Sequence, residues 1–435
     1  MTGRTERSEG DEGMPGQPCT TSEMLPTPPR YDEASLCNVL PGVVSVLAGV
    51  SHTGTRHLGA QQFVGEHLVA PHLGAVGEAD PLLLAPALAG VRRVAVLLVD
   101  GLGYHLLPAA ARCAPVLADV LAGTLGSLTN LTSGFPSTTP VSLASLCTGV
   151  PPGTHGILGF TVNVPGTDRV LNHVNWATDP DPLRWQPVPT QFERARDAGV
   201  AVTVVSRPEF VGSGLTVATY RGADYRASTQ VETLVARMLE ALRAEAPCLV
   251  FGYEPALDHA GHESGVDSPA WRDAAAQVGR LLGMLVDGLP TDAALLVTAD
   301  HGQLDVPTER RFDIDSDPRL SADVRLVAGE PRARHLHTRP GAALDVLTTW
   351  REMLGDAAWV VSRREAVAAG WFGPVPPTHL GRIGDVVVAC RSTCAVLATA
   401  HESSRVAALI GYHGSHTPME TAVPLVVVRG GAAAR

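Results

Sequence analysis

The stretch "RRVAVLLVDGLG" (residues 92–103) decides how the rest of the chain is read. Its apolar run has no polar interruption, as expected of a strand covered on both faces rather than one with a solvated side. It ends in Asp100, with Gly101 and Gly103 close behind. A second stretch, "AALLVTADHG" (293–302), repeats the design: an apolar run, Asp300, then His301 and Gly302. Between them "GVAVTVVS" (199–206) and "PCLVFGYEP" (247–255) read as further strands. "YHLLPAAARCAPVLADVLAG", "QVETLVARMLEALRAEA" and "SPAWRDAAAQVGRLLGMLVDGL" read as helices. Apolar strands alternating with helices predict an α/β fold, a mainly parallel sheet with helices on both faces.

Composition narrows the function classes. With 435 residues the chain can bury a large core, and 45% hydrophobic with 18% charged residues is the balance of a soluble globular protein. The formal net charge of -11 argues against a nucleic-acid polymer or a polybasic membrane contact as partner. There is no lysine; all 33 Lys+Arg residues are arginine. A Schiff base and a GxxxxGK phosphate loop are therefore excluded. The N-terminus "MTGRTERSEGDEGMPGQPCT" has no apolar segment of a signal peptide, and no run is long enough to span a membrane. Seven scattered cysteines suit a reducing cytoplasm, the expected location. Cys390 and Cys394, four apart, are read as an ordinary strand and loop rather than a metal clip.

Residues 1 to about 33 are polar and rich in Pro, Gly, Ser and Thr, and are expected to be disordered. "EASLCNVLPGVVSVLAGV" reads as a helical preface to a catalytic domain over residues 34–435. Within that domain residues 303–410 loosen the rhythm and are expected to form a small inserted α+β subdomain. There "RHLHTRPGAALDVLTTWREMLGDAAWVVSRREAVAAG" reads strand, helix, strand, helix. "DVVVACRS" and "AVPLVVVRG" are expected to return to the core sheet.

The chemistry sits at the strand ends, where open α/β sheets gather ligands. A lone Asp100 would read as a helix cap. The Asp300-His301 pair shifts that reading, because one short turn then offers two metal ligands. In "ALDHAGHESG" Asp258 and His262 are spaced i, i+4 and share one helical face, with His259 pointing elsewhere. "GYHGSHTPME" adds His413 and His416 beside two glycines. Three aspartates and at least three histidines, with no sulfur, suit zinc, while manganese or iron also fits the ligand types. Six ligands are too many for one tetrahedral ion and suit two divalent metal ions, the recurring machinery of phosphoryl transfer. Such ions would activate a hydroxyl in "TNLTSGFPSTTPVSLASLCTGVPPGTHGILGF" (129–160), where Ser137, Thr138, Thr139 and Ser142 have no neighbouring base.

The strings "VDGLG", "GFPSTTPVSLASLCTGVPPGTHGI", "LDHAGH", "TADHG" and "GYHG", in this order over about residues 92–430, resemble the nucleotide pyrophosphatase/phosphodiesterase branch of the alkaline phosphatase superfamily. The resemblance implies an alkaline phosphatase-like core with two metals, usually zinc. One would be held by Asp100, Asp300, His301 and Thr139, the other by Asp258, His262 and His413. Thr139, ten residues before Gly149 of the "TG" pair, would be the nucleophile of a covalent phospho-threonine intermediate. His413, the histidine directly followed by glycine, is the match rather than His416, and His155 is read as a turn residue. Phe160 stands where the family commonly has a phosphate-binding asparagine, and "PVSL" replaces "FPNH" after the nucleophile. The implied substrate is a small phosphorylated molecule such as a nucleotide, of phosphodiester or nucleotide pyrophosphate type. A phosphomonoesterase, phosphonate hydrolase or phosphomutase is the alternative, and a non-catalytic metal-binding relative a further one. A sulfatase is disfavoured, since CxPxR is absent and Cys147 is followed by "TGV".

Overall fold

The computed structural model describes residues 25–51, 80–244 and 246–431. The expectation of disorder over residues 1–33 therefore lies, for residues 1–24, outside the described residues. The preface forms the helix α1 (Val39–Ser51). The main strands are β1 (Arg93–Val99), β2 (Ser127–Thr132), β3 (Ala201–Ser206), β4 (Asp224–Ala227), β5 (Cys248–Glu254), β6 (Ala293–Thr298), β7 (Val324–Glu330), β8 (Ala333–Thr338), β9 (Ala358–Ser362), β10 (Val386–Cys390) and β11 (Ala422–Arg429).

A seven-stranded sheet runs β2-β11-β6-β1-β5-β3-β4. From β6 to β4 every neighbouring pair is parallel, while β11 runs antiparallel to both β6 and β2. The apolar strands behave as expected: all seven residues of β5 and all six of β6 are buried, so both faces are covered. Four more helices are α2 (Thr139–Thr148) and α4 (Ala256–Ser264), which carry site residues, and α3 (Val231–Ala244) and α5 (Pro269–Gly288), which belong to the core. At α5 Ser268 caps the helix, its side chain accepting from Trp271 N–H. Trp271, Ala274, Ala275, Val278, Leu282 and Leu285 then form one buried stripe.

Two sequence expectations need correction. The single helix over "YHLLPAAARCAPVLADVLAG" is broken into Leu107–Ala111 and Pro115–Leu121. Pro115 has no N–H to continue a helix and holds Ala114 extended, at φ -130 and ψ 91. The stretch "DVVVACRS" does not return to the core sheet. Its strand β10 lies inside a separate four-stranded antiparallel sheet, β7-β8-β10-β9. A strand covered on both faces looks the same in either sheet, so its pattern could not name its partners.

That second sheet comes from residues 303–410, at whose base Leu304–Asp305 pairs with Gly411–Tyr412. Part of it, with Val361, Trp371 and Val387, shares a core with Phe135, Ile157 and Trp176 from the first half of the chain. The other part packs with Val346 and Trp350 of the helix Ala343–Leu354. Strand β7 and the main sheet's carboxyl edge thus face each other across a cleft of about 1100 Å³. No helix among the described residues is long and apolar enough to cross a membrane.

Candidate active site

Three adjacent strands, β6, β1 and β5, end side by side. Asp300 and Asp100 follow β6 and β1 closely, and Asp258 sits in the first turn of α4, which follows β5. Glycines allow the approach. Gly101 has φ +72, and a Cβ there would stand 2.9 Å from Cβ of Asp258. At Gly302 a Cβ would meet the carbonyl oxygen of Met419 at 2.0 Å, which no side chain survives. The "VDG" and "DHG" glycines are therefore spacers between two strand-end loops and the chain segments packed on them.

His301 Nε2 is the hub. It stands 3.1 Å from Thr139 Oγ1, 3.4 Å from Asp100 Oδ1 and 3.4 Å from Asp300 Oδ2. Asp258 and His262 do share one face of α4, with Oδ2 and Nε2 3.2 Å apart. His413 Nε2 lies 3.2 Å from His262 Nε2 and 3.9 Å from Asp258 Oδ1, and its ring stacks on His301 with centroids 3.6 Å apart. All seven residues singled out in the sequence meet here. His301 belongs by distance to both halves: one close set is Asp100, Asp300 and His301, the other Asp258, His301 and His413.

The rivals go elsewhere. His416 stacks on Phe135, centroids 4.0 Å apart, and burial pushes it down to about 3. Thr138 is fully buried beside the Glu330 carboxyl. His155 is fully buried and hydrogen-bonded to Ser145 Oγ at 3.0 Å, a structural residue. His259 is exposed and faces Glu263.

Each histidine of the cluster has its tautomer set by a backbone carbonyl. Nδ1 of His262 donates to Gly411 O (2.7 Å), Nδ1 of His413 to Ser137 O (2.9 Å), and Nδ1 of His301 to Gly302 O (3.1 Å). A carbonyl only accepts, so Nδ1 carries the proton and each Nε2 lone pair faces the cluster. Two bare lone pairs 3.2 Å apart, on His262 and His413, repel unless a cation or a proton lies between them. In keeping with this, burial alone would lower His262, yet the Asp258 carboxylate pushes it up to about 8. Burial would raise Asp258, but His262, His413 and His301 hold it below the ordinary carboxylate range. Burial, with His301 beside it, keeps His413 well below its usual value. Asp100 is held well above the usual carboxylate range by burial and by the charges of Asp300 and Asp258. Asp100 Oδ1 and Asp300 Oδ2 are buried without a hydrogen-bond partner. Orphaned carboxylate oxygens and converging Nε2 atoms are the donor set a divalent cation satisfies.

Three supporting residues escaped the sequence reading. Tyr253 OH donates to Asp100 Oδ2, and Gln303 Nε2 donates to Asp258 Oδ1 at 3.0 Å. A tyrosine near the end of an otherwise apolar strand and a glutamine just after "ADHG" were the available signals. Glu330, at the end of β7, puts Oε2 3.8 Å from His413 Nδ1 and is pushed up to about 8 by burial. Nothing local marks it. Phe160 lines the same cleft as Thr139.

Solved structures similar to the chain include murine ectonucleotide pyrophosphatase/phosphodiesterase 5, at TM-score 0.62 and 19% identity over 78% of this chain and 88% of that one. The same murine protein has also been solved in complex with AMP as an inactive threonine-to-alanine variant. Phosphonoacetate hydrolase from Sinorhizobium meliloti, in complex with phosphonoacetate, matches at TM-score 0.58 and 19% identity over 77% of this chain and 89% of that one. These likenesses show the alkaline phosphatase-like fold. An uncharacterised pyrophosphatase/phosphodiesterase of Schizosaccharomyces pombe is 26% identical over 203 residues, 44% of this chain and 41% of that relative. The chain thus spans about two fifths of the length of that curated relative. The family described as type I phosphodiesterase / nucleotide pyrophosphatase matches residues 94–417, which take in Asp100, Thr139, Asp258, His262, Asp300, His301 and His413. With that match over most of its length, the chain belongs to the type I phosphodiesterase / nucleotide pyrophosphatase family.

Proposed function

We propose that the protein hydrolyses phosphate esters, with Thr139 as nucleophile and two divalent metal ions, zinc by donor type. The observation that carries this reading is the Thr139 hydroxyl at 3.1 Å from His301 Nε2, at the first position of a helix and among three aspartates. Asp100, Asp300, His301 and Thr139 would hold one ion, and Asp258, His262 and His413 the other. Bound there, the ions supply Lewis acidity: they favour the threonine alkoxide and neutralise the phosphoryl oxygens.

The chain's own residues account for the rest. In the absence of the ion His301 Nε2, bare because Nδ1 donates to Gly302 O, accepts from the Thr139 hydroxyl and holds its oxygen at the cleft. That same lone pair is the one that would go to the ion. The amides of the first helical turn, which no intrahelical carbonyl can reach, favour an anionic phosphoryl group beside Thr139. Thr139 Oγ1 attacks phosphorus, and its proton passes through solvent to the oxygen of the leaving alcohol. The new O–P bond replaces the bond to the leaving alcohol, and water then cleaves the phospho-threonine. With Phe160 in the asparagine position, helix amides are the donors left for that oxyanion contact. A cleft of about 1100 Å³ leaves room for a second ester group and favours diesters over monoesters. Six described cysteines without a disulfide support a reducing, cytoplasmic setting.

The test is a Thr139→Ala variant assayed on bis-p-nitrophenyl phosphate and p-nitrophenyl phosphate. It should keep its bound metal by elemental analysis while kcat falls by about 10³ or more. Full turnover in the metal-loaded variant would remove Thr139 from the mechanism.

A further inference from the structure

The cleft that holds Thr139 extends well beyond it, and the charges lining the extension are already matched. Three arginines line it: Arg325, Arg334 and Arg405. Arg325 pairs with Asp168 of the hairpin that follows Phe160. Arg334 makes a two-pronged contact with Glu402, at 2.5 and 2.7 Å, and its Nε donates to Val396 O at 2.8 Å. Arg405 reaches Glu263 at 2.6 Å. His401 faces Asp315 at 3.6 Å and His259 faces Glu263 at 3.3 Å. Glu330 adds a further acid to the same wall. Among the described residues of the lining, no arginine is left over for a second anion.

The remaining wall is apolar. Val170 and Val174, 43% and 40% exposed, stand in the cleft beside Phe160. Leu326 and Val327 of β7 lie along the same wall, while Ile314 beside them is buried in the core of the second sheet. Two exposed valines and a phenylalanine in the cleft that also holds Thr139 are an apolar surface that a ligand would cover. Metal ions at the aspartate cluster would neutralise only the phosphoryl group under attack. A further phosphate on the leaving or retained side would lie between paired arginines and the carboxylates that pair them. At the largely buried Arg334–Glu402 pair it would displace a carboxylate and leave that acid unpaired. At the exposed Arg325–Asp168 and Arg405–Glu263 pairs it would meet a carboxylate already beside each arginine.

We infer that the extended cleft takes an uncharged organic ester group with apolar surface, and that a second phosphate is selected against. This rests on the phosphoesterase reading above and narrows its substrate class to simple diesters rather than nucleotide pyrophosphates.

The experiment compares kcat/KM of the zinc-loaded full chain on bis-p-nitrophenyl phosphate, the p-nitrophenyl ester of thymidine 5′-monophosphate, and thymidine 5′-triphosphate. Both diesters should be at least tenfold better substrates than the triphosphate. A triphosphate turned over as well as the diesters would overturn the inference and leave the phosphoesterase reading intact. No turnover of any of the three would instead sink the reading itself. The exposed pairs allow a second arm. In Asp168→Asn/Glu263→Gln, Arg325 and Arg405 are released, and the ratio of kcat/KM for triphosphate over diester should rise at least fivefold. An unchanged ratio in a folded double variant would show that paired arginines do not set this selectivity.

Discussion

At Asp100 function and stability pull in opposite directions. The carboxyl is buried, accepts from Tyr253, leaves Oδ1 without a partner, and is pushed up by burial and by Asp300 and Asp258. In the metal-free protein, Asp100→Asn replaces a carboxyl that ionises only against burial and two neighbouring carboxylates, and keeps an oxygen for Tyr253. The metal-free variant should be roughly 1–2 kcal/mol more stable than the metal-free wild type by urea denaturation. Its activity should fall by about 100-fold or more, since one proposed metal ligand is weakened. Equal or lower stability of the metal-free variant would mean that the carboxylates do not repel as their burial implies. The converse holds for the wild type: zinc at about 1,000 times its Kd should stabilise it by about 4 kcal/mol, and a chelator should reverse this. A thermal midpoint indifferent to chelation would count against ions at this cluster.

Among the elements, the loops bearing the site are held from behind by one buried ion pair. Arg332 Nε and Nη2 donate to Glu420 at 2.7 and 2.6 Å, and both side chains are fully buried. Glu420 also accepts from Ser415 N–H at 3.0 Å, and its carbonyl accepts from Gly302 N–H at 2.8 Å. Ser137 Oγ donates to Ser415 O at 2.7 Å, while Ser137 O takes the proton of His413 Nδ1. The pair thus joins the turns carrying His301, His413 and Thr139. Glu420→Ala would leave Arg332 buried and uncompensated, a loss of about 3–5 kcal/mol in chemical denaturation. Zinc affinity should weaken with it, read by titration under conditions where the variant is still folded. A loss below about 1 kcal/mol would show that the pair is not what anchors these turns.

Over the whole molecule, buried neutral histidines tie the body together and, at His335, tie the second sheet to it. His335 Nε2 donates to Leu158 O at 3.0 Å and Nδ1 accepts from Gly384 N–H at 3.2 Å. His173 Nδ1 donates to Gly159 O at 2.8 Å and Nε2 accepts from Trp185 Nε1 at 3.1 Å. Each ring gives one proton and takes one, so only the neutral form fits. Burial lowers His173 to about 4, His335 to about 3 and His416 to about 3. In the unfolded chain these groups bind protons below about 6.5, while the folded chain refuses them until about pH 4. Unfolded chains then hold more protons, so stability rises with pH in this window. The contribution of these three rings is fully present above pH 6.5 and falls by at most roughly 4 kcal/mol per pH unit as pH drops toward 4.5. It is partly offset by Glu330 and Asp100, whose raised carboxyls favour the folded chain as pH falls, so the net loss should be smaller but of the same sign. Urea midpoints measured from pH 7.5 down to 5 should fall, and fall less in a variant with His173 and His335 both replaced by Gln. A flat profile across that range would show that these rings do accept protons in place.

Much of this was legible before any coordinates. The apolar runs of β1, β5 and β6, the acids at their ends and the i, i+4 pair of Asp258 and His262 are features of a few consecutive residues. Backbone geometry turns such features into strand, turn and helix face without help from distant residues. The same holds for the cap at Ser268, and for the break at Pro115, where a local signal was available and a single helix was wrongly read. Other outcomes depended on residues far apart. Thr139 faces His301 across 162 positions, while Thr138, one residue away, turns toward Glu330. His413 enters the cluster and His416 stacks on Phe135, although both lie in one glycine-rich turn. Tyr253, Gln303, Glu330 and the placement of β10 in the second sheet came from packing as well. The sequence alone determined which elements form and which chemistry their ends carry, because hydrophobic period and turn chemistry are local. Tertiary structure alone decided which hydroxyl, which histidine and which arginine pairs share the cleft, because those distances are set by how separate elements pack.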